Sequence, residues 1–283
     1  MFRSDVLSIE PGDVATLWLD RPEARNAMGP AFWEDLPRAM EVLSDDAGVR
    51  AVVVAARGPH FSVGLDLKAM AGLLSGAGTD TGPAPAGHAG GASMAARASA
   101  GRRAIVRMQR SITAVAECPK PVVAAVHGYC IGGGVDLVSA CDIRLASADA
   151  VFSVRETKVA IVADLGSLQR LPGIIGAGHV AELAYTGKDI DAARARDIGL
   201  VNDVLPDGEA ALAAALSMAG EIAANSPLAV QGTKAVLRAG ARSTVAEGLD
   251  YVATWNAGFL ASDDLTEAMT AFVEKRPPTF TGR

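Results

Sequence analysis

The chain has 283 residues, of which 50% are hydrophobic and 20% are charged, and its formal net charge is −6. This length predicts one large domain, or one domain with an appendage. The acidic balance argues against a general nucleic-acid-binding protein, and no apolar run approaches the roughly 20 residues that a membrane-spanning helix needs.

The cysteines and histidines give no sign of a disulfide framework or a metal site. Cys118, Cys130 and Cys141 are odd in number and lack the spacing of a metal-ligand set, and the four histidines are scattered. We therefore expect reduced cysteines in the core and no bound metal. The N-terminal residues lack the charged and apolar regions of a signal peptide, so we expect a cytoplasmic protein.

Strand and helix patterns alternate through the first part of the chain. Val14–Leu19 alternates in hydropathy and predicts a strand, and residues 30–43 repeat apolar side chains at helical spacing. The continuous apolar run at residues 49–56 is typical of a strand that is covered on both faces. A helical pattern at residues 65–74 comes after an intervening loop.

The next segment, residues 75–92, is rich in Gly and Ala and predicts a flexible surface insertion. Such an insertion acts either as a functional lid or simply as a tolerated addition. A helix at residues 93–117 and a buried strand at residues 122–126 are predicted after it. Strands that alternate with helices in this way predict a βαβ architecture.

From residue 176 onward the pattern is helical nearly throughout. We predict an α/β core over residues 1–205 and a helical C-terminal region over residues 206–283. Apolar surface beyond what one core needs favours subunit interfaces, so we also expect an oligomer. The predicted C-terminal helices cover residues 177–186, 192–198, 209–224, 227–238, 245–260 and 263–274.

The most informative motif is a glycine turn at residues 132–134, between the strand at 122–126 and a short predicted helix at 135–140. This arrangement aims bare backbone N–H groups at a ligand, and the helix dipole adds roughly half a positive charge there. Such a site stabilises negative charge on an oxygen, and Asp136 lies in the first helical turn behind it. Close helix–strand packing is the alternative role of the glycines. Their spacing does not fit a dinucleotide site or a P-loop.

A second strand–loop–helix junction at residues 61–67 offers further backbone donors at a helix start. Two N–H groups that converge on one oxygen form an oxyanion hole. Each donor of this kind contributes about 3 to 4 kcal/mol of transition-state stabilisation.

Two further carboxylates have the character of acid/base residues. Glu156 follows a strand-like segment, and Asp164 lies within an apolar run, which is an unusual place for a charge. Each has a structural alternative: an ion pair of Glu156 with Arg155 or Lys158, or a helix N-cap formed by Asp164. Three acids near a predicted oxyanion hole together favour proton transfer next to a carbonyl group.

Taken together, these motifs resemble those of the crotonase superfamily, the enoyl-CoA hydratase/isomerase fold. The resemblance runs from Val14 to about Arg276, apart from the insertion. It implies an α/β fold in which ββα units form a crotonase-like spiral, with a helical C-terminal trimerisation region. The stretches that carry it are residues 21–28, 61–70, 120–128, 132–136, 141–144, 168–172 and 272–276.

Within this superfamily the sequence looks most like the isomerases that convert 3,5-dienoyl-CoA to 2,4-dienoyl-CoA. Those isomerases carry Gly-Gly-Gly-Val-Asp where most hydratases have a Glu, and the Asp here is Asp136. They also carry a Glu at the position of Glu156 and an Asp eight residues later, which is Asp164 here. Residues 249–256 are similar too, whereas residues 62–66 depart from the commoner Ala-Gly-(Ala or Ile)-Asp pattern and leave the backbone role intact.

The resemblance also implies roles for individual residues. The N–H groups of Leu65 and Gly133 would hold the thioester oxygen of an acyl-CoA, and Asp136, Glu156 and Asp164 would be the catalytic acids. Coenzyme A is part of the substrate, and we expect no other cofactor. The implied substrate-binding residues are Ala24, Arg25, Val63, Gly64, Asp66, Leu67, Lys68 and Lys275, with Arg25, Lys68 and Lys275 as phosphate contacts.

The implied reaction moves two protons and belongs to fatty-acid β-oxidation. Glu156 would take a proton from carbon 2, Asp164 would protonate carbon 6, and Asp136 would orient the pair. Asp164 would begin protonated, because apolar neighbours disfavour the charged form and raise its pKa. Two other functions stay open: an enoyl-CoA hydratase, in which Asp136 and Glu156 hold one water, and a non-catalytic acyl-CoA-binding protein. We expect a homo-trimer or homo-hexamer, without nucleic-acid or membrane partners.

Overall fold

The structure, a computed structural model, describes residues 2–74, 93–241 and 243–283. The insertion predicted at residues 75–92 lies outside the described residues. The strands of the described chain are β1 (Leu7–Glu10), β2 (Val14–Leu19), β3 (Ala51–Ala56), β4 (Val122–Val126), β5 (Tyr129–Ile131), β6 (Ile143–Ser147), β7 (Val151–Ser153), β8 (Ile190–Asp191) and β9 (Asp203–Leu205).

The helices of the described residues flank these strands and then make up most of the C-terminal part. They are α1 (Pro30–Asp45), α2 (Ala71–Leu74), α3 (Met94–Glu117), α4 (Gly133–Ala140), α5 (Ser167–Arg170), α6 (Ala177–Thr186), α7 (Ala192–Asp197), α8 (Gly208–Ala223), α9 (Pro227–Gly240), α10 (Val245–Phe259) and α11 (Asp263–Glu274). Short 3-10 helices lie at Pro22–Ala24, Glu156–Val159 and Leu171–Gly173. No helix within the described ranges is both long and apolar enough to cross a bilayer.

A six-stranded sheet with the order β1-β2-β3-β4-β6-β9 forms the centre of the molecule. Only β1 is antiparallel to its neighbour; the other pairs, from β2/β3 to β6/β9, are parallel. Parallel strands need crossovers, which the intervening helices supply. The smaller sheet has the order β5-β7-β8 and lies where the chain turns from β4 into α4.

Strands β3 and β4 are buried along their whole length. Their alternate residues point to opposite faces: Val52 and Val54 belong to a core shared with α1 and α3, whereas Val53 and Ala55 belong to a second core. Ala215 and Ala219 of α8 pack in that second core. The helical C-terminal region is thus tied to the sheet through α8. The three cysteines are buried and unbridged, as predicted.

Most of the predicted elements are present, with ends that differ by at most two residues, but the helix predicted at residues 65–74 is wrong over its first part. Only Ala71–Leu74 is helical. Leu65 forms an isolated parallel bridge with Met28, and the N–H of Asp66 donates to the Met28 carbonyl at 3.0 Å. This pairing with a distant segment holds the chain extended where local spacing predicts a helix.

Candidate active site

The two predicted junctions pack directly on each other. Gly64 has φ +83°, and a Cβ added there would lie 2.6 Å from the Ile131 carbonyl oxygen and 3.2 Å from the Gly133 nitrogen. Any larger residue would therefore push the two loops apart. Ser62 stabilises the loop that carries Gly64, since its hydroxyl donates to the Asn26 carbonyl and accepts from the Gly64 N–H.

Two backbone N–H groups are left available at this junction. The Met28 N–H donates to the Gly64 carbonyl, and the Met28 carbonyl accepts from the Asp66 N–H. The bridge to Met28 therefore uses backbone groups of Gly64 and Asp66 and leaves the Leu65 N–H unused. Gly132, with φ +52°, caps α4, and Gly133 is the first helical residue. Among the described residues, neither the N–H of Leu65 nor that of Gly133 has an acceptor. Their loops are in contact, as an oxyanion hole requires.

Asp136 is the most deeply buried of the three acids, with 1% of its surface exposed. Its Oδ1 accepts a hydrogen bond of 2.6 Å from the Ser167 N–H at the start of α5. Its Oδ2 is buried and has no partner within the described chain. Burial raises the pKa of Asp136 to about 6, and the Ser167 hydrogen bond opposes that rise.

Glu156 begins a 3-10 helix, separated from the end of β7 by two residues, and lies beside the glycine turn. Its Oε1 is 3.2 Å from the position that a Cβ of Gly132 would occupy, and its Oε2 is buried without a partner in the described chain. Burial and then the nearby Asp136 carboxylate raise the pKa of Glu156 to about 7. The alternative of an ion pair with Arg155 or Lys158 is wrong, because Arg155 pairs with Asp189 and neither cation bonds Glu156.

Asp164 lies in the loop before α5 and is half-buried. It is not a helix N-cap, because Gly166 occupies that position. The backbone carbonyl of Asp164 accepts a hydrogen bond of 2.7 Å from Nε2 of Gln109 on α3. Burial raises the pKa of Asp164, in the predicted direction.

One cavity of about 340 Å³ contacts all three acids and both loops. Of the residues predicted to bind the substrate or form the oxyanion hole, it brings together Val63, Gly64, Leu65, Leu67 and Gly133. Because burial penalises ionised carboxyls and their like charges repel, the cluster holds protons at a pH where exposed carboxyls are ionised. A half-enclosed cavity with these groups suits acid/base chemistry next to a carbonyl.

Other predicted substrate-binding residues do not line this cavity. Asp66 accepts from Nη1 of Arg21 at 3.0 Å and from the Ala69 N–H at 3.0 Å, so its side chain stabilises its own loop. Arg25, Lys68 and Lys275 are exposed, and Ala24, which lies next to Arg25, is half-buried.

Sequence patterns missed the wall of the cavity that α3 provides. Gly101, Ile105 and Met108 line it, at a spacing that places them on one helix face. The spacing of a cavity-lining face equals that of a core-facing one, so the sequence does not distinguish them. Gln109 was missed for a different reason. Its contact with the Asp164 loop joins segments 55 residues apart, which no local pattern records.

Comparisons with known proteins agree with this geometry. A family model described as enoyl-CoA hydratase/isomerase matches residues 10–84 and 81–283. The peroxisomal Delta(3,5)-Delta(2,4)-dienoyl-CoA isomerase of Arabidopsis thaliana is 43% identical over 267 residues, covering 93% of this chain and 91% of the relative. The mitochondrial isomerase of the same name from Dictyostelium discoideum is 43% identical over 277 residues, covering 97% and 90%.

The solved structures support the fold prediction. The crystal structure of an enoyl-CoA hydratase from Bacillus anthracis has a TM-score of 0.85 and 30% identity, and the similarity covers 98% of this chain and 100% of the hydratase. The predicted crotonase-like α/β fold is therefore confirmed. The prediction of a cytoplasmic protein is wrong, because similar isomerases are named as peroxisomal or mitochondrial proteins.

Proposed function

The chain belongs to the enoyl-CoA hydratase/isomerase family, and we propose that it converts 3,5-dienoyl-CoA to 2,4-dienoyl-CoA. The relatives named Delta(3,5)-Delta(2,4)-dienoyl-CoA isomerase support this activity. The observation that carries the proposal is the single cavity that Glu156, Asp164 and the two backbone donors share.

In the proposed mechanism the thioester oxygen accepts hydrogen bonds from the N–H groups of Leu65 and Gly133. The thioester acidifies the hydrogens on carbon 2, and the Glu156 carboxylate takes one of them. The negative charge spreads over the conjugated system into a dienolate, whose oxygen the two donors stabilise. Asp164 then gives its proton to carbon 6, which leaves double bonds at carbons 2 and 4.

The raised pKa values of both carboxyls suit proton transfer near neutral pH. A carboxylate whose pKa lies near 7 is a stronger base than an exposed one, and Glu156 meets that condition. Burial of Asp164 favours its protonated form, which the second step uses. Asp136, held by the Ser167 N–H, keeps Glu156 basic through like-charge repulsion.

We propose that the coenzyme A arm lies along residues 63–67 and near Ala24 and Arg25, with Arg25, Lys68 and Lys275 as candidate phosphate contacts. Their exposure leaves these cations accessible to a ligand. The proposed reaction uses no cofactor besides the coenzyme A of the substrate, because both proton transfers are carried by side chains. It would serve the β-oxidation of unsaturated fatty acids.

We also propose a homo-trimer or homo-hexamer. Large apolar side chains are exposed on the C-terminal helices, and burying them between subunits would be favourable. Examples are Leu237, Leu249, Phe259, Met269, Phe272 and Val273. Sedimentation analysis should give a multiple of the 28.9 kDa chain mass, and a monomer at micromolar concentration would contradict this assembly.

The activity is tested by incubating the purified protein with 3,5-octadienoyl-CoA. Conjugation of the diene with the thioester should raise the near-ultraviolet absorbance. The rival activity is hydration, which Asp136 and Glu156 could support by holding a water between their unpaired oxygens. Hydration of 2-octenoyl-CoA without any absorbance increase from the diene would replace the isomerase by a hydratase, and no turnover of either would indicate a binding protein.

A further inference from the structure

The α3 wall of the cavity extends away from the acids. Gly101, Ile105 and Met108 are spaced by four and three residues, so they share one helix face along the cavity. Gln109, next to Met108, bonds the Asp164 carbonyl, which places the C-terminal end of this face at Asp164. A helical rise of 1.5 Å per residue then separates Gly101 from Met108 by about 10 Å.

Packing against the described residues gives Gly101 no reason to be glycine. It lies within the 24-residue helix α3, where glycine is less stable than alanine. Its backbone does not adopt the left-handed conformation that favours glycine. Apart from the adjacent residues and the backbone of α3 itself, no described atom lies within 4 Å of a Cβ placed there. What glycine does supply at this position is free space on the cavity wall.

The surroundings of this space suit an alkyl chain. Ile105 and Met108 continue the wall toward Asp164, and Val159 and Ile161 also line the cavity with apolar side chains. Residues 93–99 of the chain, just before this point, are exposed, so α3 runs outward from the core here. Within the described residues, a chain that follows the helix face past Gly101 therefore reaches the surface instead of a closed end.

We propose that Gly101 determines the acyl-chain length that the cavity accepts, by keeping open a path along α3 for the carbons beyond the reacting diene. This inference rests on the proposed function for the identity of the reacting group. The cavity should then accept thioesters with long unbranched chains, and a large side chain at position 101 should restrict it to short ones.

Gly101→Phe is the direct test, with Gly101→Leu as a second variant if the first does not fold. Gly220→Phe is a matched control, since Gly220 also lies within a helix, is half-buried and is as open around an added Cβ as Gly101. Each protein is titrated with octanoyl-CoA and tetradecanoyl-CoA by calorimetry and assayed with the corresponding 3,5-dienoyl-CoA thioesters.

Each methylene returned to water weakens binding about fourfold, so loss of only a few contacts has a large effect. We expect Gly101→Phe to weaken tetradecanoyl-CoA binding at least about tenfold and octanoyl-CoA binding less than about twofold. Gly220→Phe should change neither. Equal effects of Gly101→Phe on both chain lengths, or no effect on either, would overturn the inference. Because the saturated ligands are not turned over, this result is independent of the isomerase assay, whose failure in the unmodified protein would instead overturn the proposed function.

Discussion

At the scale of single residues, the site depends on carboxyl groups that are buried without full hydrogen bonding. Asp136 and Glu156 each keep one buried oxygen without a partner among the described residues. A polar group left in this state costs stability, which is the usual price at sites where a proton is transferred. Their raised pKa values, about 6 and about 7, express that cost.

The first prediction concerns the pH dependence of catalysis. The active enzyme carries a proton on Asp164 and none on Glu156, so activity needs one proton shared between the two groups. The value of kcat/KM should fall as the pH rises through about 7, where the pair loses this last proton, and should fall again in acid, where both are protonated. Steady-state assays from pH 5 to 9 measure this, and a flat profile between pH 6 and 8 would contradict it.

A second prediction concerns stability. The pKa of Glu156 is higher in the folded chain than in the unfolded chain. Its favourable contribution to the free energy of unfolding is therefore complete at pH values below the pKa of the unfolded chain, and it is lost as the pH rises through about 7. Glu156→Gln removes the buried charge and should raise the free energy of unfolding at pH 8 by about 1 to 2 kcal/mol, with no gain at pH 4.

Urea denaturation at the two pH values measures this difference, with Glu34→Gln as the control because Glu34 is an exposed carboxylate of α1. An equal change for Glu156→Gln at both pH values would show that burial of the charge is not its cause.

At the scale of elements, α3 positions the loop that carries Asp164. Gln109 holds the Asp164 carbonyl at 2.7 Å, and Nη2 of Arg170 donates to Thr113 Oγ1 at 3.3 Å while Nη1 donates to the Leu165 carbonyl at 3.3 Å. Two residues of one helix therefore hold this loop, Gln109 directly at Asp164 and Thr113 through Arg170 at Leu165. Such bonds contribute about 1 kcal/mol each, enough to change a catalytic distance when lost.

Gln109→Ala should consequently lower kcat about tenfold with little change in KM, because the acid loses its position while the acyl group still binds. Gln169→Ala is the matched control, since Gln169 lies on α5 close to the same loop but is exposed. Moving Asp164 relative to Glu156 should also shift the pH profile of kcat/KM in Gln109→Ala. A general loss of folding would lower the activity without shifting that profile. Unchanged kcat would show that the loop keeps its position without α3.

The elements also show where sequence patterns are sufficient. Helices α6 and α11 have the predicted bounds, because long amphipathic segments repeat their apolar spacing over several turns. Strands β5 and β8 have three and two residues, which is too short for a period to be read. Leu65 is extended because it pairs with Met28, a contact that no local pattern contains.

At the scale of the whole molecule, the glycine turn and the acids could be predicted as a site because each occupies a segment boundary with a distinct composition. The cavity wall could not, since Gln109 reaches the Asp164 loop and Gly101 reaches the cavity only after α3 packs beside α4. The central sheet, which is covered on both faces, holds the glycine turn and the acids in fixed relative positions. Strand β4 and the turn into β5 set the position of Gly133, and β7 sets that of Glu156.

The central claim is that Glu156 and Asp164 act at opposite ends of one acyl group, and hydrogen–deuterium exchange at carbon 2 tests it most directly. In deuterated buffer, Asp164→Asn should still exchange the carbon 2 hydrogen of 3,5-octadienoyl-CoA while its conversion to the 2,4-diene falls about 10²- to 10⁴-fold. Glu156→Gln should lose exchange and conversion together. Loss of exchange in Asp164→Asn, or exchange that persists in Glu156→Gln, would contradict the assignment of the two carboxyl groups.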